Sequence, residues 1–345
     1  MNIAWLQRVV SGSQRGLLAS LTRAILKGLT PLYRFGINRR NRQFDDGSRE
    51  VIDVLAKVIS IGNLTTGGTG KTPAVIWVCE LLQEIGARTA IVSRGYGTKA
   101  NAPNDEAMEL SQRLPDIPHV QNPDRVAASE QCLAEHGSEV IVLDDAFQHR
   151  RIARDLDIVL VDALNPFGYG HLLPRGLLRE PIESLGRADV VVITRCEQVG
   201  EQADSLKQQI RQHTSAPIAL ARTEPVALAE KGGRLTEVSQ LRSGNWFVFS
   251  AIGNPAAFEA SLEALGCKVV GSIRFRDHHC FDESDHLRIA QQANQHGADF
   301  LLCTHKDLVK LDPTAFRIPL LALQTRLKVF AGEDALRARI IAAIQ

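Results

Sequence analysis

The chain has 345 residues, 44% of them hydrophobic and 23% charged, with few aromatics; this is the composition of a globular protein with room for two cores, and it excludes fibrous, low-complexity and globally disordered classes. Formal net charge is +1, yet residues 1–44 hold eight bases (Arg8, Arg15, Arg23, Lys27, Arg34, Arg39, Arg40 and Arg42) and no acid, so the remainder carries 32 of the 40 bases against all 39 acids. An acidic body excludes a general nucleic-acid binder and leaves the basic arm alone to meet an anionic surface.

In that arm Trp5, Leu6, Val9 and Val10, then Leu17, Leu18, Leu21, Ile25, Leu26 and Leu29, recur at helical spacing with the bases between them, predicting an amphipathic helix that Pro31 limits. Such a helix packs on its own protein or lies in the headgroup plane of a membrane; the lack of any acid before Asp45 favours the membrane. No run of 18 apolar residues predicts a span, and no cleavable leader is evident. The six cysteines form no CxxC pair and are expected to be reduced thiols, so the chain is placed in the cytoplasm.

From Lys57 onward, short apolar runs alternate with helical patterns: KVISIG, PAVIWVCELLQEIG, TAIVSRG, DRVAASEQCLAEHG, EVIVLDD, LDIVLVDA and ADVVVITR. This is the pattern of a parallel α/β sheet with helices on both faces. A long Gly-, Pro- and Arg-rich loop, NPFGYGHLLPRGLLREP, interrupts it and is expected to be functional. WFVFSAI, GCKVVGSIRF and ADFLLCT then predict a second, smaller α/β domain. The expected division is a basic membrane-binding segment at 1–44, a nucleotide-binding domain at 45–224 and a smaller domain at 225–345.

TTGGTGKT follows the first strand and opens a helix with Ala74, Val78, Leu81, Leu82 and Ile85 in one stripe. That context defines a phosphate loop of Thr65, Thr66, Gly67, Gly68, Thr69, Gly70, Lys71 and Thr72, in a P-loop-type α/β fold. The glycines let backbone N–H groups converge on phosphate oxygens at the positive end of the helix dipole. Lys71 would reach the β and γ phosphates of ATP and Thr72 would ligate Mg²⁺. Thr65 stands where the usual pattern has glycine. The apolar strand ending in Asp144 and Asp145 supplies the acids expected to hold the metal.

SIGNLTTGGTGKTP, SRGYG, NDEA, DRVAA, LDDAFQHRR, LLPRGLLREP, DHH and THKDLVKL, in this order from about residue 1 to 311, together resemble tetraacyldisaccharide 4'-kinase, the lipid A 4'-kinase of Gram-negative bacteria. The resemblance implies ATP-dependent phosphorylation of the 4'-hydroxyl of a lipid-bearing glucosamine disaccharide 1-phosphate, at the cytoplasmic face of the inner membrane. It further implies a catalytic pair of Asp105 and His278, with Arg179 and Glu180 near the site. A carboxylate beside an imidazole can fix its tautomer and support proton removal from a sugar hydroxyl. Ala146, Leu177 and His305 stand where the family usually has Gly, Pro and Glu, and the segment from Thr98 to Asn104 is short.

A membrane-associated dimerising ATPase of the partitioning class is the rival reading; it uses a lysine before the paired glycines, where this chain has Thr66. A nucleotide-sensing adaptor needs no DHH segment, and a kinase for a soluble sugar needs no basic arm. No protein partner is inferable.

Overall fold

The computed structural model describes residues 3–95, 104–277 and 279–345. Gly12 and Gly16, both at positive φ, divide the N-terminal arm into helices α1 (Ile3–Ser11) and α2 (Leu17–Asp45). Pro31 does not limit the second of these, contrary to the sequence expectation. Proline inside a helix costs about 3 kcal/mol through its missing N–H and ring clash, and here fixation from outside offsets that cost. The Tyr33 hydroxyl donates to the Arg179 carbonyl at 2.9 Å, Arg40 and Asn41 reach the Glu180 carboxylate, and Arg150 donates to Asp45 at 2.7 Å.

The elements continue as β1 (Lys57–Asn63), α3 (Lys71–Glu84), β2 (Thr89–Ser93), α4 (Asp105–Arg113), β3 (His119–Gln121), α5 (Arg125–His136), β4 (Val140–Asp144), β5 (Leu156–Asp162), β6 (Val190–Thr194), α6 (Gln202–Arg211) and β7 (Ile218–Ala229). Then follow β8 (Leu235–Thr236), β9 (Trp246–Ser250), α7 (Pro255–Ala264), β10 (Val269–Arg274), α8 (Glu283–Gln295), β11 (Phe300–Thr304), α9 (His305–Leu308), β12 (Leu320–Ala331) and α10 (Glu333–Ile344). They form two compact units: Met1–Arg94 with Ile117–Thr223 and Leu327–Gln345, and Gly95–Asp116 with Glu224–Arg326. This differs from the expected linear division, because residues 95–116 belong to the second unit and 327–345 to the first. The reason is covalent: β7 begins in the first unit and ends in the second, and β12 does the reverse.

In the first unit the strands run β7-β6-β5-β1-β4-β2-β3, each pair parallel. Strands buried on both faces must be largely apolar, which is why β4 and β6 read as nearly continuous hydrophobic runs. Val58, Ile141 and Leu143 pack with Val126 and Cys132 of α5, and Val159, Val161 and Ile193 pack with Leu206 and Ile210 of α6. Helices α3 and α10 lie against β1 as well, and their buried residues include Val75, Val78, Leu336 and Ile340. The sheet order reverses at β1, between β4 and β5, which makes its C-terminal end the crevice where open α/β sheets bind ligands.

The second unit has parallel neighbours β10-β9-β11-β12, with β8 antiparallel to the end of β7. Phe247, Phe249, Ile289, Leu301 and Leu308 form one core cluster, and Trp246, Val248, Leu262, Leu302 and Leu321 the other. Helix α4 is fastened to this unit by Arg113, donating to the Thr325 carbonyl at 3.1 Å, and by Gln112, donating to that of Lys231 at 2.9 Å.

Candidate phosphate site and acceptor-side cluster

The loop between β1 and α3 sits at the switch point. Gly67 (φ 112) and Gly70 (φ 81) occupy the left-handed region that only glycine enters freely. Gly70 is the N-cap of α3, no side chain caps the helix and its first turn holds no acid. The first-turn amides therefore remain for an anion. Thr65, where glycine is usual, has no positive φ to satisfy; it is buried, bridges Leu178 as a short antiparallel contact, and its carbonyl accepts from the Asn63 amide at 2.7 Å.

The long loop after β5 is ordered against this turn. Thr66 N–H donates to the Leu177 carbonyl (2.8 Å) and Arg179 N–H to that of Leu64 (2.7 Å). A Cβ on Gly176 would lie 2.1 Å from the His171 carbonyl oxygen, so this crossing demands glycine. On the other side, the Thr194 hydroxyl donates to the Thr69 carbonyl at 2.9 Å, and Arg195 donates to the Gly68 carbonyl while pairing with Asp162.

Lys71 Nζ, on a nearly buried side chain, lies 3.7 Å from Asp145 Oδ1. Arg179 Nη1 meets both oxygens of that carboxylate, at 2.9 and 3.0 Å, and Gln148 Oε1 at 3.3 Å. Asp145 has φ 51, a left-handed turn tolerated by aspartate, directly after the strand end at Asp144. Burial raises the Asp145 pKa, but Lys71 and Arg179 outweigh it and hold the group below the ordinary aspartate range. Asp144 is buried at the end of β4, in register with Ile61, and the buried Arg125 acts on both carboxylates. Thr72 follows Lys71 in the first turn of α3. Its hydroxyl and the Asp144 carboxylate are the hard oxygen donors that suit Mg²⁺.

Glu180, expected beside Arg179, points elsewhere. Fully buried, it accepts from Arg40 (2.8 Å), Asn41 (3.3 Å) and Arg187 (2.7 Å), tying α2 to the loop.

Asp105 opens α4 in the second unit, behind an Asn104 cap that accepts from Ala107 N–H at 2.9 Å. Its carboxylate lies 3.3 Å from Lys310 Nζ, which also meets Asp307 (3.1 Å) and the His279 carbonyl (3.0 Å). His278 lies outside the described residues, as do Tyr96 and Gly97 of SRGYG and the start of the short segment before Asp105. His279 stacks on Phe275 and its Nε2 lies 2.6 Å from Asp285, the residue that closes the capping box of α8.

A family model described as tetraacyldisaccharide-1-P 4'-kinase (LpxK) matches residues 22–345. The chain belongs to this family. It is 36% identical over 315 residues to the tetraacyldisaccharide 4'-kinase of Syntrophus aciditrophicus (84% of each chain) and 37% identical over 336 residues to that of an Anaeromyxobacter species (91% of this chain, 89% of the other). The crystal structure of LpxK from Aquifex aeolicus in complex with ATP aligns with a TM-score of 0.77 at 29% identity, covering 94% of this chain and all of that one.

Within the tetraacyldisaccharide 4'-kinase pattern, the departures have local causes. Leu177 supplies an N–H that donates to the Gly168 carbonyl at 3.0 Å, which proline could not. Ala146 is fully buried and its carbonyl accepts from Arg154 at 2.9 Å. His305 is buried 3.8 Å from Glu109 of α4; burial lowers its pKa to about 4 and raises that of Glu109 to about 7. Sequence reasoning missed Arg125, Gln148, Arg195, Asp307 and Lys310. Each lay inside a quoted segment, but only a partner distant in sequence gives it a role.

Proposed function

We propose that this lipid A kinase uses the β1–α3 loop to hold ATP and passes its γ-phosphoryl group to the 4'-hydroxyl of a tetraacylated glucosamine disaccharide 1-phosphate. Family membership gives the reaction class, a phosphotransferase with an alcohol acceptor, and makes the partitioning-type ATPase the weaker reading. The carrying observation is the convergence of Lys71, Asp145 and Arg179 on an uncapped helix N-terminus at the sheet's switch point.

When bound, ATP would supply the phosphoryl group and Mg²⁺ the positive charge that offsets the charge of the phosphates. The first-turn amides of α3 and Lys71 would hold the phosphates; Asp144 and Thr72 would hold the metal, since Asp145 is already engaged by two cations. Residues 65–70 keep their shape through Thr194, Arg195 and the Leu177 carbonyl. Asp105 and His278 would act at the acceptor hydroxyl, where positioning matters more than base strength.

The arm supports a membrane-borne substrate. Leu17, Leu18, Leu21, Ile25, Leu29, Leu32 and Phe35 are exposed along α2, 93% for Leu17 and 70% for Phe35, and no described helix is long and apolar enough to cross a bilayer. We place the chain peripherally, at the cytoplasmic face of the inner membrane. The test is incubation of the chain with ATP, Mg²⁺ and lipid disaccharide 1-phosphate, followed by thin-layer chromatography. A second phosphate on the lipid is expected; ATP hydrolysis with an unchanged lipid would refute the reading.

A further inference from the structure

Resting on the reading of Asp105 as an acceptor-side catalytic residue, we propose that Lys310 is a positioning residue for the transfer, clamping Asp105 and the DHH segment in one register. The Lys310 ammonium donates one hydrogen bond, to a backbone carbonyl, and forms ion pairs with two carboxylates, the three partners coming from different stretches of chain. They are Asp105 at the start of α4 (3.3 Å), Asp307 in α9 (3.1 Å) and the carbonyl of His279 (3.0 Å), the residue after His278 in sequence. The side chain is 6% exposed and its nitrogen lies 5.3 Å from the centre of the Phe281 ring.

The anchor of the clamp is rigid. Asp307 is fully buried and accepts from Ala251 N–H at the end of β9 (3.0 Å) and from the Thr304 hydroxyl at the end of β11 (2.6 Å). Position is thus passed from two core strands, through Asp307 and Lys310, to the two segments that carry the candidate catalytic residues. Burying a lysine is costly unless it is fully paired, and a cation serving stability alone would be satisfied by Asp307. The second carboxylate and the carbonyl are what a clamp requires. Arginine would not replace it, because a planar guanidinium does not place one compact charge between two carboxylates and a carbonyl.

The test measures steady-state kinetics of the full chain with ATP, Mg²⁺ and lipid disaccharide 1-phosphate for Lys310→Met, and for Lys310→Met with Asp307→Asn, which removes the buried charge left behind. A folded variant is expected to lose about 100-fold in kcat, the scale of a misplaced reacting group, with KM for ATP within about twofold. In an Asp105→Asn background the same change should cost clearly less than in the parent, since one arm of the clamp acts through that carboxylate. A folded variant with kcat within about threefold of the parent, a loss in the Asp105→Asn background as large as in the parent, or failure of both variants to fold would overturn the proposal. Unchanged kcat in Asp105→Asn alone would instead remove the reading of Asp105 itself.

Discussion

Lys71 faces a carboxylate that Arg179 also holds, so its replacement separates chemistry from stability. In Lys71→Ala, Asp145 keeps its bidentate arginine, and the lost pair is a 3.7 Å contact to a carboxylate one-third exposed, worth about 1 kcal/mol or less. Turnover should fall by about 10³-fold or more, the scale of removing a cation aimed at a transferring phosphoryl group, and ATP affinity measured by titration calorimetry should be lost while the melting temperature stays within a few degrees. Lys71, Asp144 and Asp145 were legible in the sequence because strand, glycine turn and helix dictate where such residues emerge. Glu180 was not: it follows Arg179 in a bend rather than a regular element, so no periodicity tells that Arg179 faces the phosphate loop and Glu180 faces α2.

Helix α2 and the loop after β5 show how an element's neighbours override its local signals. Pro31 and the glycines of NPFGYGHLLPRGLLREP mark a break and an irregular segment, yet the helix continues and the loop is held by hydrogen bonds to residues more than 100 positions away. Sequence periodicity cannot reveal such partners. Glu180 is the knot, since Arg40 and Arg187 both end on it. In Glu180→Gln both arginines lose their anion; the pair is buried on one side and about a quarter exposed on the other, so about 2–4 kcal/mol of stability should go. Urea denaturation reads the loss, and faster hydrogen exchange in residues 17–45 should accompany it.

Across the whole molecule, the parallel sheet, its helices and the second α/β unit follow from alternating apolar and helical patterns, whereas the assignment of residues 95–116 and 327–345 depends on strands shared between units. The titration of buried groups also separates the units. In the first, burial lowers His119 to about 4, and burial with the charges of Arg125 and Arg154 lowers His149 likewise. Folded-state values below the unfolded 6.5 mean that the unfolded chain binds more protons between about pH 6.5 and 4, so stability is present above that window and is lost as pH falls through it. In the second unit His305 acts in the same sense, while Glu109, raised to about 7, favours the folded state at low pH and loses that contribution as pH rises from about 4.5 to 7. Urea midpoints at pH 7.5 and 5 should therefore drop in the first unit and change less in the second, read from Trp77 in a chain with Trp5→Phe and Trp246→Phe and from Trp246 in one with Trp5→Phe and Trp77→Phe. At the membrane, Leu21→Glu with Ile25→Glu alters only exposed side chains of α2, and should abolish sedimentation with anionic liposomes while leaving the fold intact; undiminished pelleting would exclude this face as the contact.

The strands that cross between units also order the protein's birth. The first unit needs Leu327, Val329, Leu336 and Ile340 to close its core, and the ribosome makes these only after all of segment 224–326. The phosphate loop is therefore synthesised early but cannot be completed as a folded site until translation has passed the second unit. Domains usually fold from the N-terminus as they emerge. In this chain β1, β4 and β5 are synthesised long before the last strand and helix that share their unit, so the first unit is completed after the second has been made.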